Sequence, residues 1–351
     1  MDSVLHKRNH SLDVARIVAV LAVVMIHCSA PFVKSNQLFS IEFIFGNLFD
    51  SISRIGVPLF LMISGSLFLD ERKEVTLKNI LLKNIKSLAI ITIIWAIIYS
   101  SVYNIIFPLL TGESINVKSF IGGIANGHYH MWYLYMIIGL YIITPFLKKF
   151  VCKENKEMVL FFIIISFCFH FFTPIINGMC ELGLNLSFIN TFINKFHLDF
   201  FGGYITYFLV GWYIVHIGIK QKWLTYVMYF LGAAALAFIV LFVQYTGDYT
   251  NAYENISAPV FVYSISVFLA INNINFNFKE KTAKKLTTLS KLTFGVYIIH
   301  VLVLSVYSIL YPYSRYGALY IVVCFAIVVC SSFLISYVIS KIPVLKKILK
   351  A

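Results

Sequence analysis

Along the 351 residues, polar positions fall in short clusters and apolar positions fill long runs between them. A helix needs about 20 mostly apolar residues to cross the hydrocarbon core of a bilayer. Ten runs reach that length: 12–32, 50–69, 88–109, 131–150, 158–179, 200–219, 223–245, 256–274, 292–310 and 316–339. The pattern therefore predicts an all-α, polytopic membrane protein of about ten transmembrane helices. The second run is the weakest, because its continuous apolar part begins only near Val57 and Asp50 and Arg54 sit in its outer half. Residues 74–87 (EVTLKNILLKNIKS) alternate apolar side chains and lysines at helical spacing. They predict a short helix at the inner interface, its lysine stems snorkelling to the headgroups.

Composition agrees. Sixty per cent of the residues are apolar and 12% are charged, against about a quarter charged in soluble domains. No stretch is long and polar enough for a separate soluble domain, so one membrane domain over 1–351 is expected. The first apolar run is too long and too charged for a cleavable signal peptide. The six cysteines form no CxxC pair and read as small buried hydrophobes.

A net charge of +13 would ordinarily point to nucleic acid. Here it follows from the excess of Lys and Arg that membrane proteins keep in cytoplasmic loops, and no nucleic-acid partner is expected. With the N-terminus inside, the inner segments hold Lys7 and Arg8; Arg72, Lys73, Lys78, Lys83 and Lys86; Lys148, Lys149, Lys153 and Lys156; Lys220 and Lys222; Lys279, Lys281, Lys284, Lys285 and Lys291; and Lys341, Lys346, Lys347 and Lys350. These are 22 of the 28 basic residues. The outer side keeps Lys34, Arg54, Lys118, Lys195 and Arg315, and Arg16 lies inside the first span. An even number of spans brings both termini to the cytoplasm.

Ionisable groups inside a span are costly and mark function by default. The first span carries Asp13, Arg16 and His27. Asp13 and Arg16 are three residues apart and can pair. Arg16 and His27 are eleven apart, close to three helical turns, so they share a face about 16 Å apart along the axis. Two plainer readings stand beside a polar wall: an interfacial ion pair, and a packing histidine. A neutral imidazole there makes a good general base, able to deprotonate a hydroxyl that attacks an acyl donor.

Other polar points accompany these three. Span two reads R-I-G-V-P-L-F-L-M-I-S-G over 54–65, where Pro58, Ser64 and Gly65 loosen the helix or permit close helix approach. Span nine reads L-S-K-L-T-F-G-V-Y-I-I-H over 289–300 and sets Tyr297 and His300 one turn apart. His300 has the same two readings as His27, with the structural role favoured. Outside span four, H-Y-H-M-W-Y-L over 128–134 hints at a metal, but no third ligand is evident. It reads as an aromatic belt at the outer interface, and no metal is expected.

The stretch S-L-D-V-A-R-I-V-A-V-L-A-V-V-M-I-H resembles the first-helix signature of the acyltransferase-3 family: a basic residue, ten positions, then His, here Arg16 and His27. G-V-P-L-F-L-M-I-S-G resembles its second-helix motif, M-W-Y-L-Y-M-I-I-G-L-Y-I-I-T-P (131–145) its W-x-L…Y…P helix, and T-F-G-V-Y-I-I-H (293–300) its late helix. The resemblance implies a membrane O-acyltransferase of the bacterial inner membrane. Such proteins pass an acyl group, usually acetyl, from cytoplasmic acyl-CoA to a hydroxyl of an envelope glycan or lipid-linked saccharide. By that likeness His27 is catalytic and Arg16 its basic companion. The family often carries R-x-x-R at the inner end of span three, assigned to the CoA phosphates; this chain has Lys83-Asn-Ile-Lys86, two point charges without Arg's bidentate fork. Ending at Ala351, the chain is similar to the compact branch without an appended esterase-like domain. That branch includes enterobacterial common antigen acetyltransferases and polysaccharide-intercellular-adhesin-type proteins. The membrane domain of membrane-bound serine racemases is similar too.

The expectation is a polar passage lined by Arg16 and His27. Lys83 and Lys86 would meet acyl-CoA, and Asp13, Ser64, Tyr297 and His300 would be substrate-lining. Membrane lipids, acyl-CoA and a glycan or lipid-linked acceptor are the expected partners. Nothing in the pattern specifies an oligomer. The alternative is a transporter or flippase for a small polar solute or glycan, using the same intramembrane charges as its site.

Overall fold

The computed structural model describes residues 9–35, 37–73, 76–198, 202–312, 317–343 and 345–349. Lys7, Arg8, Arg315 and Lys350 of the charge pattern lie outside the described residues, as do Glu74 and Val75 of the interfacial segment.

The described residues are helical, with no strand among them. The first part comprises α1 (His10–Ser35), α2 (Ile41–Ser53), α3 (Gly56–Phe68), α4 (Leu77–Asn79), α5 (Lys86–Ser101), α6 (Phe107–Thr111), α7 (Val117–Asn126) and α8 (Trp132–Phe150). There follow α9 (Lys156–His170), α10 (Thr173–Glu181), α11 (Ser187–Asn194), α12 (Tyr204–His216), α13 (Lys222–Thr246), α14 (Tyr249–Ala252), α15 (Ala258–Asn273), α16 (Glu280–Leu310) and α17 (Leu319–Lys341). The interfacial segment is helical as expected: α4 is capped by Thr76, whose hydroxyl accepts the Asn79 N–H at 3.2 Å, and a π-helical stretch, Ile80–Ile85, joins it to α5.

Eight helical stretches are long and apolar enough to cross a membrane, by length and composition: His10–Ser35, Ile41–Phe68, Leu77–Thr111, Val117–Phe150, Lys156–Glu181, Lys222–Thr246, Glu280–Leu310 and Leu319–Lys341. Ten were expected. The runs 200–219 and 256–274 fall short because α12 has 13 residues and α15 has 16, about 20 and 24 Å of helix against about 30 Å of hydrocarbon. Both are packed inside the protein, where other segments complete what a short helix leaves open. The Ala258 N–H at the start of α15 donates to the Phe171 carbonyl at 2.6 Å. The Tyr207 hydroxyl of α12 donates to the Asn255 carbonyl at 2.5 Å, and His216 Nε2 to the Ser66 carbonyl at 2.8 Å.

The second crossing begins earlier than its hydropathy indicated. Ser40 caps α2, its hydroxyl accepting the Phe43 N–H at 3.1 Å, and the stretch is interrupted only at Arg54 and Ile55 before α3 begins at Gly56. Pro58 falls in the first turn of α3, where its missing N–H costs no helical bond.

Close helix crossings are set by small residues. A Cβ on Gly65 of α3 would land on the Phe208 carbonyl of α12, and one on Gly211 of α12 on the Met62 carbonyl of α3. The two glycines thus let the backbones of α3 and α12 touch, the way tight helix pairs form where water cannot drive association. Around this pair α1 packs against α2, α3, α16 and α17. The helix with the intramembrane charges therefore lies at the centre of the bundle.

The loop after α3 is pinned to the end of α8. Arg72 forks onto Asp70, Nε to Oδ1 at 2.9 Å and Nη2 to Oδ2 at 2.8 Å. Lys148 donates to the carbonyls of Asp70 and Lys73 at 2.7 and 2.6 Å. The Arg72 hydrogen bonds hold the Asp70 carboxyl down at about 2.

Candidate active site

The first turn of α1 carries Asp13, which is 1% exposed. Its Oδ1 accepts from the Ser290 hydroxyl of α16 at 2.7 Å and from Arg16 Nη1 at 3.3 Å, and His10 Nδ1 lies 3.8 Å from Oδ2. The three-residue spacing forms the ion pair it promised, and the same carboxylate ties α1 to α16. Asp13 lines a cavity of about 380 Å³ at the end of the bundle, together with Leu67, Ser290 and Lys291.

Arg16 borders that cavity and a second, deeper one of about 250 Å³. The deeper cavity is bounded by Ser64 of α3, Asn84, Tyr133 and Tyr141 of α8, and Thr293 and Tyr297 of α16. Its far wall is aromatic: the rings of Tyr297 and Tyr133 are 5.5 Å apart, and Tyr133 and Phe60 are 6.0 Å apart. The Tyr297 hydroxyl donates to the His130 carbonyl at 2.7 Å, fixing that wall in place. Ser64 and Tyr297 therefore share the Arg16 cavity, whereas His27 is not among the residues that line it. Tyr297 borders the Arg16 cavity and its ring lies 6.2 Å from that of His300, the neighbour of His27.

Beyond Tyr297 lies a group of imidazoles. The His27 ring is 5.0 Å from the ring of His300 and 5.4 Å from that of Tyr129. The Tyr129 hydroxyl stands 3.3 Å from His27 Nδ1. His300 is fully buried, and its Nδ1 lies 2.6 Å from the Tyr297 carbonyl and 3.2 Å from that of Val296. A carbonyl only accepts, so Nδ1 carries the proton and Nε2 is left as an acceptor. That Nε2 is buried and makes no hydrogen bond among the described residues. His130 closes the group: its ring is 5.5 Å from His300, and its Nδ1 is 3.0 Å from His128 Nδ1.

The H-Y-H segment thus departs from the aromatic-belt reading. A 3-10 turn, Tyr129–Met131, precedes α8 and turns His130 inward, 3% exposed, while Trp132 stays half outside at 38%. The His-x-His spacing was the available signal. Hydropathy alone could not read it, because a turn residue follows no helical period. Among the described residues no group of three His, Cys, Asp or Glu side chains is arranged to hold a metal.

Near His27 the α2–α3 interruption presents a second ion pair. Asp50 is fully buried and bonded to Arg54 Nη2, and the Arg54 guanidinium sits 4.0 Å over the Tyr253 ring. Arg54 Nη1 also donates to the Tyr253 carbonyl at 3.4 Å. Arg54 and Lys34 are cations whose fields reach His27. Lys83 and Lys86 are exposed, and of the two residues between them Asn84 borders the Arg16 cavity.

The profile of the acyltransferase-3 family, described as an acyltransferase domain, matches residues 9–339. No curated protein and no solved structure matches the chain at a significant level. The match spans Arg16, both cavities and the imidazole group, and runs through the last long helix. The chain belongs to the acyltransferase-3 family of membrane acyltransferases.

Proposed function

We propose that the protein is an O-acyltransferase that moves an acyl group, acetyl by family likeness, from cytoplasmic acyl-CoA to a hydroxyl of an envelope glycan or lipid-linked saccharide. In this reading the chain crosses a bacterial inner membrane ten times, α12 and α15 completing the count inside the bundle. Both termini and the lysine-rich loops face the cytoplasm. Acyl-CoA approaches the Arg16 end, where Lys83 and Lys86 attract its phosphates as point charges.

The observation that carries the reading is the His27 ring 5.0 Å from that of His300, whose Nε2 has no partner among the described residues, with Tyr297 of the Arg16 cavity one turn away on α16. His27 takes the proton of the acceptor hydroxyl as its oxygen bonds to the thioester carbonyl carbon. The C–S bond breaks, and the leaving thiolate takes that proton back to depart as free thiol. In a two-step form of the same transfer His27 attacks the thioester carbon, the C–S bond breaks to release the thiolate, and the hydroxyl then displaces the imidazole, with the same products. Arg16 stabilises charge on the donor, and Asp13 aims Arg16.

Purified protein in vesicles, given labelled acetyl-CoA and the parent strain's glycan extract, tests this reading. Transfer by wild type and none by a folded His27→Ala protein is expected; full transfer by His27→Ala would remove the catalytic assignment. The buried Asp13, with Arg16 beside it on the cavity, also favours a second reading, a transporter that uses these intramembrane charges as its site. Solute uptake without acyl turnover would select it.

A further inference from the structure

The first half of α16 carries a stripe the acyl-transfer reading does not use. At 31 residues, about 46 Å, α16 is longer than the hydrocarbon core, which is about 30 Å thick. Lys281, Lys284, Lys285, Thr288, Leu289 and Leu292 recur at intervals of three and four, so they form one face. That face is cationic in its first turns and apolar below. With Phe333, Leu334 and Tyr337 of α17 it encloses an open groove of about 620 Å³. A neighbouring groove of about 600 Å³ shares Thr288, Leu292 and Tyr337 and adds Lys291, Lys341 and Lys346. Lys341 Nζ sits 5.0 Å from the Tyr337 ring. Glu280, paired with Lys284 at 2.5 Å, is the acidic residue on this rim.

We infer that the α16–α17 groove binds one anionic glycerophospholipid, with its phosphate among Lys281, Lys284 and Lys285 and an acyl chain along Leu289, Leu292, Phe333 and Leu334. Charge complementarity selects the occupant: basic pockets between transmembrane helices hold anionic headgroups. The apolar half opens sideways, since Leu289, Leu334 and Val338 are 42%, 64% and 51% exposed. An acyl chain therefore enters it from the bilayer. A soluble acyl-CoA would instead need a route to Arg16, and neither groove shares a lining residue with the deep cavity except Phe294.

Native mass spectrometry of the full chain, released from micelles containing phosphatidylglycerol or phosphatidylcholine with the same acyl chains, tests the site. Wild type should retain one phosphatidylglycerol and no phosphatidylcholine. The K281Q/K284Q/K285Q protein should lose phosphatidylglycerol occupancy by about tenfold or more, since each basic residue near the headgroup contributes to the attraction. Leu289→Trp, which fills the groove with the lysines intact, should lose it as well. K153Q/K156Q, on another lysine cluster, should behave as wild type. Gel filtration and thermal unfolding check that each variant is folded. The proposal is overturned if the triple variant keeps its lipid, if phosphatidylcholine is held equally, or if palmitoyl-CoA displaces the lipid. It is also overturned if Leu289→Trp retains the lipid, because the lysines then act as diffuse surface charge.

Discussion

The imidazoles of His27 and His300 lie 5.0 Å apart, one on the first helix and one on the penultimate. His300 holds its proton on Nδ1 for the Tyr297 carbonyl, so its Nε2 is an acceptor without a partner among the described residues. An unpaired acceptor in a buried site is expensive, and a hydroxyl donor brought beside His27 would relieve it. In the proposed transfer His300 Nε2 accepts from a neighbouring hydroxyl of the saccharide and orients it, while His27 removes the proton of the attacking hydroxyl. His27→Ala should lower turnover by about 10²–10⁴-fold, the range for lost general-base catalysis. His300→Ala should cost less and act mainly on acceptor KM. Steady-state kinetics with varied acceptor separate the two; equal loss in kcat alone for both variants would contradict the division of labour.

The Tyr297 hydroxyl ties α16 to the turn that carries His130. Tyr297→Phe removes its hydrogen bond to the His130 carbonyl and should destabilise the protein by about 1 kcal/mol. Thermal unfolding of the two proteins in detergent reads the difference, and an unchanged midpoint would contradict it.

Asp50 and Arg54 answer for each other inside the bundle. Asp50→Ala strands a largely buried guanidinium and should cost about 3–5 kcal/mol, whereas an Asp50→Leu, Arg54→Met double variant should recover most of that loss. Thermal unfolding in detergent compares them. A double variant less stable than either single one would mean the pair holds something besides itself.

The Asp70 carboxyl is held at about 2 by Arg72, below the ordinary value of about 3.9. A depressed carboxyl contributes stability that is fully present above its unfolded value and is lost as pH falls through the folded one. The Arg72–Asp70 fork that shapes this loop should therefore be lost between about pH 4 and pH 2. In Asp70→Asn that acid step should be missing. Limited proteolysis with an acid-active protease across this range reads the loop directly.

Gly65 and Gly211 sit where each Cβ would strike the other helix's carbonyl. Gly211→Val should force α3 and α12 apart and cost more than about 3 kcal/mol, beyond ordinary overpacking, because backbone cannot move aside as a side chain can. Loss of expression as a folded, monodisperse protein is the expected result.

Much of this was legible in the chain. Long apolar runs give helices because a bilayer leaves backbone groups no partner but their own helix. Spacing alone places Asp13 against Arg16 and sets Arg16 and His27 on one face, since both follow from 3.6 residues per turn. Ser64, Tyr297 and His300 were legible as polar exceptions in apolar runs, and the structure brings the first two to Arg16 and the third to His27.

Tertiary structure decided the rest. That α12 and α15 are short, that α2 and α3 divide at Arg54, and that His130 turns inward all depend on neighbours distant in the chain: Phe171 for α15, Tyr253 for Arg54, Tyr297 for His130. Helical period says which face of α1 a residue occupies but not what crosses that face. Tyr297 and His300, carried in by α16 from far along the chain, meet the Arg16 cavity and His27 respectively, and only packing could place them there.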